Sequence, residues 1–208
     1  MSKSTANTRG KILDRALEMF NERGIEYVGL RELAADLDMR VGNITYYFPT
    51  KDDLVYEISI ELSKSNSQIA TSGGVLTMEV FLETLRKMYL NQIRFKCLLL
   101  SFVHLMKQNK KIAAAYKKTQ KARRSTIKTN LETLSSSGYF KELNEIEMDL
   151  LVSTLSLISR FWISEAAISF RKESEEQLVK YYLKIVAQLL HPYATNKGVK
   201  EIKPFINS

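Results

Sequence analysis

The sequence holds few residues able to do covalent or metal chemistry. There are two histidines, His104 and His191, and one cysteine, Cys97. No His, Cys, Asp or Glu grouping has metal-ligand spacing, and no Ser-His-Asp or phosphate-loop pattern is present. No catalytic residue, metal or cofactor is expected, and an enzyme is the weakest reading. The polar chemistry concentrates instead between Arg31 and Lys51, around the run Arg40-Val41-Gly42-Asn43-Ile44-Thr45-Tyr46-Tyr47-Phe48. An asparagine can pair in a bidentate way with adenine, and a threonine can meet a thymine methyl or a phosphate. Tyrosine hydroxyls can donate to phosphate oxygens. Arg31 and Lys51 fall near helix starts, where backbone N–H groups already favour phosphate.

This chemistry needs a scaffold that turns it outward. Residues 30–37 and 41–48 read as two short helices joined by Asp38-Met39-Arg40, which is a helix-turn-helix over 29–48 with the second helix as the reader. At 100° per residue, Val41, Ile44 and Phe48 share one side. Gly42, Asn43 and Tyr46 fall opposite, with Thr45 and Tyr47 on the flanks. The expected DNA-contact set is Arg31, Arg40, Val41, Gly42, Asn43, Thr45, Tyr46, Tyr47 and Lys51. A helix over 8–24 precedes it, with Ile12, Leu13, Ala16, Leu17 and Phe20 on one stripe. Asn7 or Thr8 is the expected cap and Gly24 the expected stop. Pro49 ends the reader, and Thr50 with Asp53 opens a further helix over 51–64.

The later chain reads as longer helices over 77–92, 94–107, 110–136, 145–171 and 175–191, with no strand alternation. The Ser/Gly-rich stretch 63–74 reads as a loop and marks a domain boundary. The fold class is therefore all-α, with about nine helices. Its expected organisation is a flexible arm 1–7, a helix-turn-helix DNA-binding domain 8–66, a second helical domain 67–195, to which the resemblance given below assigns ligand binding and dimerisation, and a tail 196–208. The net charge of +8 suggests a polyanionic partner, yet residues 1–66 carry 9 Lys/Arg against 11 Asp/Glu. Thirteen basic residues and no acidic one lie between Thr84 and Leu131. For this run a solvated face is the default reading; added phosphate attraction and an anionic ligand are the alternatives. The apolar run Cys97–Met106 is too short to cross a bilayer. The N-terminus lacks a signal-peptide core, so a cytoplasmic protein without membrane association is expected.

The stretch from Thr8 to Ile58 resembles the DNA-binding domain of the tetracycline-repressor (TetR) family. The matching features are Thr8-Arg9, Ile12-Leu13, Ala16, Phe20, Gly24, Arg31, Leu33-Ala34, Gly42-Asn43-Ile44, Tyr46-Tyr47-Phe48 and Lys51-x-x-Leu54. Asp38 stands where the family usually has glycine, and Arg40 where it often has a Ser or Thr cap. The resemblance implies a homodimeric repressor, released from a palindromic double-stranded DNA operator by a small hydrophobic or anionic ligand. The alternative is a helical protein–protein interaction module without inducer. The resemblance also implies an internal pocket, for which Tyr89, Phe95, Phe102, His104, Met106, Tyr116, Phe161 and Trp162 are candidates. A dimer face is expected on the two last long helices, with Leu151, Leu155, Ile158, Trp162, Leu178, Tyr182, Ile185 and Leu189 as candidates.

Overall fold

A computed structural model describes residues 3–71, 75–170 and 172–207. Eleven α-helices occupy them: α1 Lys3–Arg23, α2 Leu30–Asp36, α3 Val41–Tyr47, α4 Lys51–Thr71, α5 Met78–Arg94, α6 Lys96–Leu100, α7 Phe102–Gln108, α8 Lys110–Ser136, α9 Glu145–Ser169, α10 Glu175–Leu190 and α11 Asn196–Asn207. Among the described residues there is no strand, only an isolated bridge between Phe140 and Ala194. The fold is all-α, as expected.

The chain forms two compact units. The first is 1–64 with 95–116, and the second is 65–94 with 117–208. Both units are discontinuous in sequence. The segment 95–116, expected within the second domain, belongs to the first unit. Its Phe95, Cys97, Leu98 and Leu99 are buried, α6 packs on α1, and the Cys97 N–H donates to the Asn21 side chain at 3.0 Å. The first unit also buries Ile12, Ala16, Phe20, Val28, Leu33, Ile44, Phe48, Leu54 and Ile58. These residues recur at helical spacing because one stripe of each helix must leave water.

In the second unit, α10 packs on α5, α9 and α11. Its core gathers Phe81, Leu82, Leu131, Leu134, Phe140, Leu151, Val152, Leu155, Val186, Leu190 and Ile202. Both α9 and α10 begin with complete capping boxes, Asn144 with Glu147 and Ser174 with Gln177. Each box satisfies two otherwise orphaned backbone donors. By length and composition α9 is apolar enough to cross a membrane. Asp149 and Arg160 interrupt it, however, and Leu151, Val152 and Leu155 bury one side of it in this core.

Four expectations about boundaries change. Residues 3–7 continue α1 instead of forming an arm, since no Gly or Pro intervenes before Thr8; residues 1 and 2 lie outside the described residues. The loop expected at 63–74 is helical as far as Thr71, and 72–74 lie outside the described residues. The helix expected over 94–107 is two, broken at Ser101. The expected tail is α11, whose Ile202 is completely buried. Gly198 lets α11 approach: a Cβ there would stand 2.2 Å from the Tyr139 carbonyl oxygen.

Candidate nucleic-acid interface

The turn before α3 is built by a Schellman cap. Asp38 takes the left-handed conformation (φ 52°), the Met39 N–H donates to the Ala34 carbonyl at 2.8 Å, and the Asp38 N–H donates to Ala35 at 3.2 Å. Glycine is the usual residue there, and a short polar side chain is the next best. Arg40 follows as N-cap of α3 without a side-chain cap bond, which leaves its guanidinium exposed.

Helix α3 is two-faced. Ile44 and the following Phe48 are 0% and 1% exposed, whereas Tyr46 is 77% exposed. Gly42 and Asn43 are also exposed, and Thr45 and Tyr47 are half-buried. A Cβ on Gly42 would meet no atom within 4 Å; the glycine serves no internal contact and leaves a flat patch of backbone. Val41, placed with Ile44 by helical geometry, is 36% exposed and sits at the margin. Tyr46 meets Tyr47 edge to face at 5.0 Å, which limits the rotation of both rings. Arg31 is exposed on α2.

Charged ties hold this surface in place. Arg15 on α1 grips Asp36 at the end of α2 with bonds of 2.5 and 2.8 Å, and the paired guanidinium holds the Asp36 carboxyl below its ordinary range. Arg9 reaches Glu57 on α4 at 2.5 Å and lies 5.1 Å over the Phe48 ring. Lys51 does not point freely into solvent. Its ammonium donates to the Glu26 carbonyl at 3.3 Å, and desolvation lowers its pKa.

The start of α4 carries the expected Thr50–Asp53 cap and, beyond it, two ties from residues far along the chain that the sequence does not reveal. The Asp53 N–H donates to the Thr50 hydroxyl oxygen at 3.1 Å, and the Thr50 hydroxyl donates to the Asp53 carboxylate at 2.7 Å. Lys111 forms an ion pair with Asp53, and that pair together with Thr50 pulls the Asp53 carboxyl below its ordinary range. Asn109, 3% exposed, donates from Nδ2 to the Asp52 carbonyl at 3.1 Å. A capping asparagine before Lys110 was the one available signal, and it says nothing about a partner 57 residues away. With 95–116 included, the first unit holds thirteen basic and eleven acidic residues, so it is not net acidic.

The eight pocket candidates divide between the units. Phe95, Phe102, His104, Met106 and Tyr116 belong to the first, and Tyr89, Phe161 and Trp162 to the second. His104 is exposed on α7 and lines no enclosed site among the described residues. Phe102 meets Tyr116 edge to face at 4.8 Å; Met106 and Phe161 are half-buried. In the second unit Tyr89 stacks on Trp162 at 4.9 Å, and Tyr182 lies 5.3 Å from Trp162. The Trp162 indole N–H donates to the Gln92 Oε1 at 2.5 Å, and Gln92 donates to the Ser159 carbonyl at 3.2 Å. Burial pushes the Tyr89 phenol up to about 12. Among the described residues the buried Tyr182 hydroxyl has no hydrogen-bonding partner. A separate surface groove of about 920 Å³ is lined by Arg124, Lys128, Glu132, Met148 and Asp149. Within the basic run, Arg86 pairs with Glu83, Arg124 with Asp149, and Lys128 with Glu132.

The dimer candidates also divide. Leu151, Leu155, Trp162 and Tyr182 are only 2–4% exposed within one chain and have no area left to give a partner. Ile158, Leu178 and Leu189 are half-buried, and Ile185 is 36% exposed. The apolar residues left open on α9 are Ile146, Leu150, Leu157 and Ile168, all on one helical face and 56–77% exposed. Tyr181, 45% exposed, joins Ile185 on α10.

The chain is thus all-helical among the described residues, with an N-terminal helix-turn-helix and a long helical second unit. The family model described as bacterial regulatory proteins of the tetR family matches residues 12–58. The model for the TetR bacterial transcriptional repressor matches residues 62–202, more than half of the chain. The chain belongs to the TetR family; it is a DNA-binding transcriptional regulator and not an enzyme. The "Probable HTH-type transcriptional regulator YttP" of Bacillus subtilis (strain 168) is 29% identical over 85 residues, which is 36% of this chain and 41% of that protein. The match thus spans less than half of that relative. A TetR-family regulator from Marinobacter aquaeolei VT8 superposes with a TM-score of 0.87 at 20% identity, covering 100% of this chain and 98% of that one. A gamma-butyrolactone receptor gives 0.71 at 15% identity, with 98% and 97% covered. A transcriptional regulator from Saccharomonospora viridis, solved in complex with choline, gives 0.70 at 19% identity, with 92% and 100% covered. At these identities the solved structures establish the fold.

Proposed function

We propose that this protein is a dimeric repressor that reads a palindromic operator with two copies of α3 and leaves it when a small ligand binds the helical core. The observation that carries the DNA reading is the contrast on α3. Ile44 and Phe48 are locked into the core while Asn43 and Tyr46 face solvent from a rigid, braced helix. Asn43 is assigned to a base edge, Gly42 to close backbone approach, and Arg40 to a base or phosphate. Tyr46, Tyr47, Thr45 and Arg31 are assigned to the backbone, with Val41 at the edge of the contact. Lys51 would exchange the Glu26 carbonyl for a phosphate.

Two-fold operators need two-fold proteins. The open apolar face of α9 with Tyr181 and Ile185 supports a four-helix interface between two copies. The ligand reading is supported by the buried cluster of Tyr89, Gln92, Trp162 and Tyr182, in which the Tyr182 hydroxyl is left without a hydrogen-bonding partner among the described residues. Similar proteins include one solved with choline and one described as a gamma-butyrolactone receptor. Helix α4 starts in the first unit and ends in the second. A ligand-driven shift of α4 would change the spacing of the two readers and lower operator affinity.

Selection of bound sequences from a random DNA pool by the purified protein tests this reading. A palindromic consensus is the expected result. Enrichment of isolated half-sites alone would overturn the dimeric reading, and no enrichment would overturn sequence-specific binding. Trp162 is the sole tryptophan, so its fluorescence reports ligand binding directly. A candidate ligand that quenches it without weakening operator binding would refute release for that compound.

A further inference from the structure

We propose that Asn109 and Lys111, far outside the helix-turn-helix, are positioning residues for DNA binding: they hold the first turn of α4, and with it Lys51, in register with the recognition helix. The proposal rests on the reading that α3 and Lys51 meet DNA. The first turn of α4 directly follows α3, separated from it only by Phe48, Pro49 and Thr50. On one side it is tied by the Lys51 ammonium to the Glu26 carbonyl. On the other it is tied by residues that come 57 and 58 positions later in the chain.

The Asn109 amide does two things at once. Its Oδ1 accepts the Ile112 N–H at 3.0 Å and so caps α8; its Nδ2 donates to the Asp52 carbonyl at 3.1 Å. The reversed amide would set NH2 against the Ile112 N–H, so the two bonds fix its orientation. The side chain is buried, which makes both bonds costly to leave unmade. Lys111 adds an ion pair to Asp53, the carboxylate that also accepts from the capping Thr50. The Lys111 side chain is 64% exposed, and an exposed pair adds little to stability. Its effect is geometric: it reaches the carboxylate that closes the cap of α4. A contact surface for DNA tolerates errors of only about half an ångström, so loosening this turn weakens binding before it weakens the fold.

The test uses the full-length protein and the DNA sequence that the wild type enriches from a random pool. Asn109→Ser keeps a good N-cap for α8 but is too short to reach Asp52, and Lys111→Gln removes the ion pair at an exposed site. Each is expected to lower affinity for that sequence about five- to tenfold, the scale of one hydrogen bond or charge tie. Lys111→Arg is expected to restore affinity to within about twofold, since it can still reach the carboxylate. Neither residue touches phosphate in this proposal, so the slope of log affinity against log salt is expected to stay unchanged. A fall of about one in that slope for Lys111→Gln would make Lys111 a direct phosphate contact and overturn the proposal. Affinities within twofold of wild type for both variants would also overturn it. Should Asn109→Ser melt early, Lys111→Gln decides alone. If the wild type enriches no sequence, the DNA-binding reading fails, and this proposal with it.

Discussion

Replacing Leu157 by glutamate should dissociate the proposed dimer while leaving each chain folded. Leu157 is 56% exposed in the isolated chain, on the face of α9 that also presents Leu150 and Ile168. Full burial of a leucine is worth about 1.5–3 kcal/mol, so covering the exposed half stabilises the dimer by about 1 kcal/mol per copy. The two-fold axis doubles this to about 2 kcal/mol. A carboxylate in the same place must lose water among apolar neighbours, at a further cost of about 2 kcal/mol per copy. Together the change is about 6 kcal/mol, or about 10⁴-fold in the dimer dissociation constant. Sedimentation velocity over a concentration series measures it, with operator binding read in parallel. Leu151→Ala is the control: Leu151 is 2% exposed, so the variant should lower the melting temperature without shifting the monomer–dimer equilibrium. A Leu157→Glu protein whose dissociation constant stays within about tenfold of wild type would refute this placement of the interface.

Three other outcomes are expected. Asn43→Ala should relax sequence preference at one position of each half-site and cost about 1–3 kcal/mol on the preferred sequence; Tyr46→Phe should weaken all sequences alike, as competition binding against single-base variants would show. Gly198→Ala places a methyl 2.2 Å from the Tyr139 carbonyl oxygen; overpacking of about 1–3 kcal/mol should lower the melting temperature by about 2–10 °C, and an unchanged melting curve would mean that α11 is not seated as described. Asp53 and Asp36 are held below the ordinary carboxylate range in the folded chain, chiefly by Lys111 and Arg15 respectively. The stabilisation they add is therefore full above the unfolded carboxylate value of about 3.9 and is lost as pH falls through the lower folded values. Thermal melts should stay flat with respect to these groups near neutral pH and decline below about pH 4, less steeply in Asp53→Asn.

The burial of Cys97 in the first unit bears on regulation. The thiol is 2% exposed, and burial pushes its pKa up to about 12. A thiol held neutral and out of solvent is a poor sensor of oxidants, so Cys97 is not expected to act as a redox switch. The native protein should resist alkylation at neutral pH and react fully once unfolded; rapid labelling of the native thiol would reverse that conclusion.

Local rules made much of this protein legible in its sequence. The two-faced α3 follows from 100° spacing alone. The left-handed turn at Asp38, the stop at Gly24 and the cap at Thr50 are each encoded within three or four residues. The same holds for α8, whose bounds of 110–136 match the expectation, and for the absence of strands among the described residues. These features are set by contacts between near neighbours in sequence, so their signals survive without a fold.

What failed in the sequence reading depended on distant partners. Apolar periodicity says that α9 and α10 need covering but not by what. Only the packed chain shows that Leu151, Leu155, Trp162 and Tyr182 are used internally and that Ile146, Leu150, Leu157 and Ile168 are left open. The 95–116 segment looked like part of the later domain because of its place in the chain, yet Phe95, Cys97 and Leu98 are buried in the first unit and its lysines offset that unit's acidity. Residues 196–207 looked like a tail because twelve polar-rich residues cannot hold a helix alone; burial of Ile202 beside Gly198 makes one. The tie from Asn109 to Asp52 spans 57 residues. A hydrogen bond at that separation leaves no periodic trace, so tertiary structure alone decides where the first turn of α4 is held.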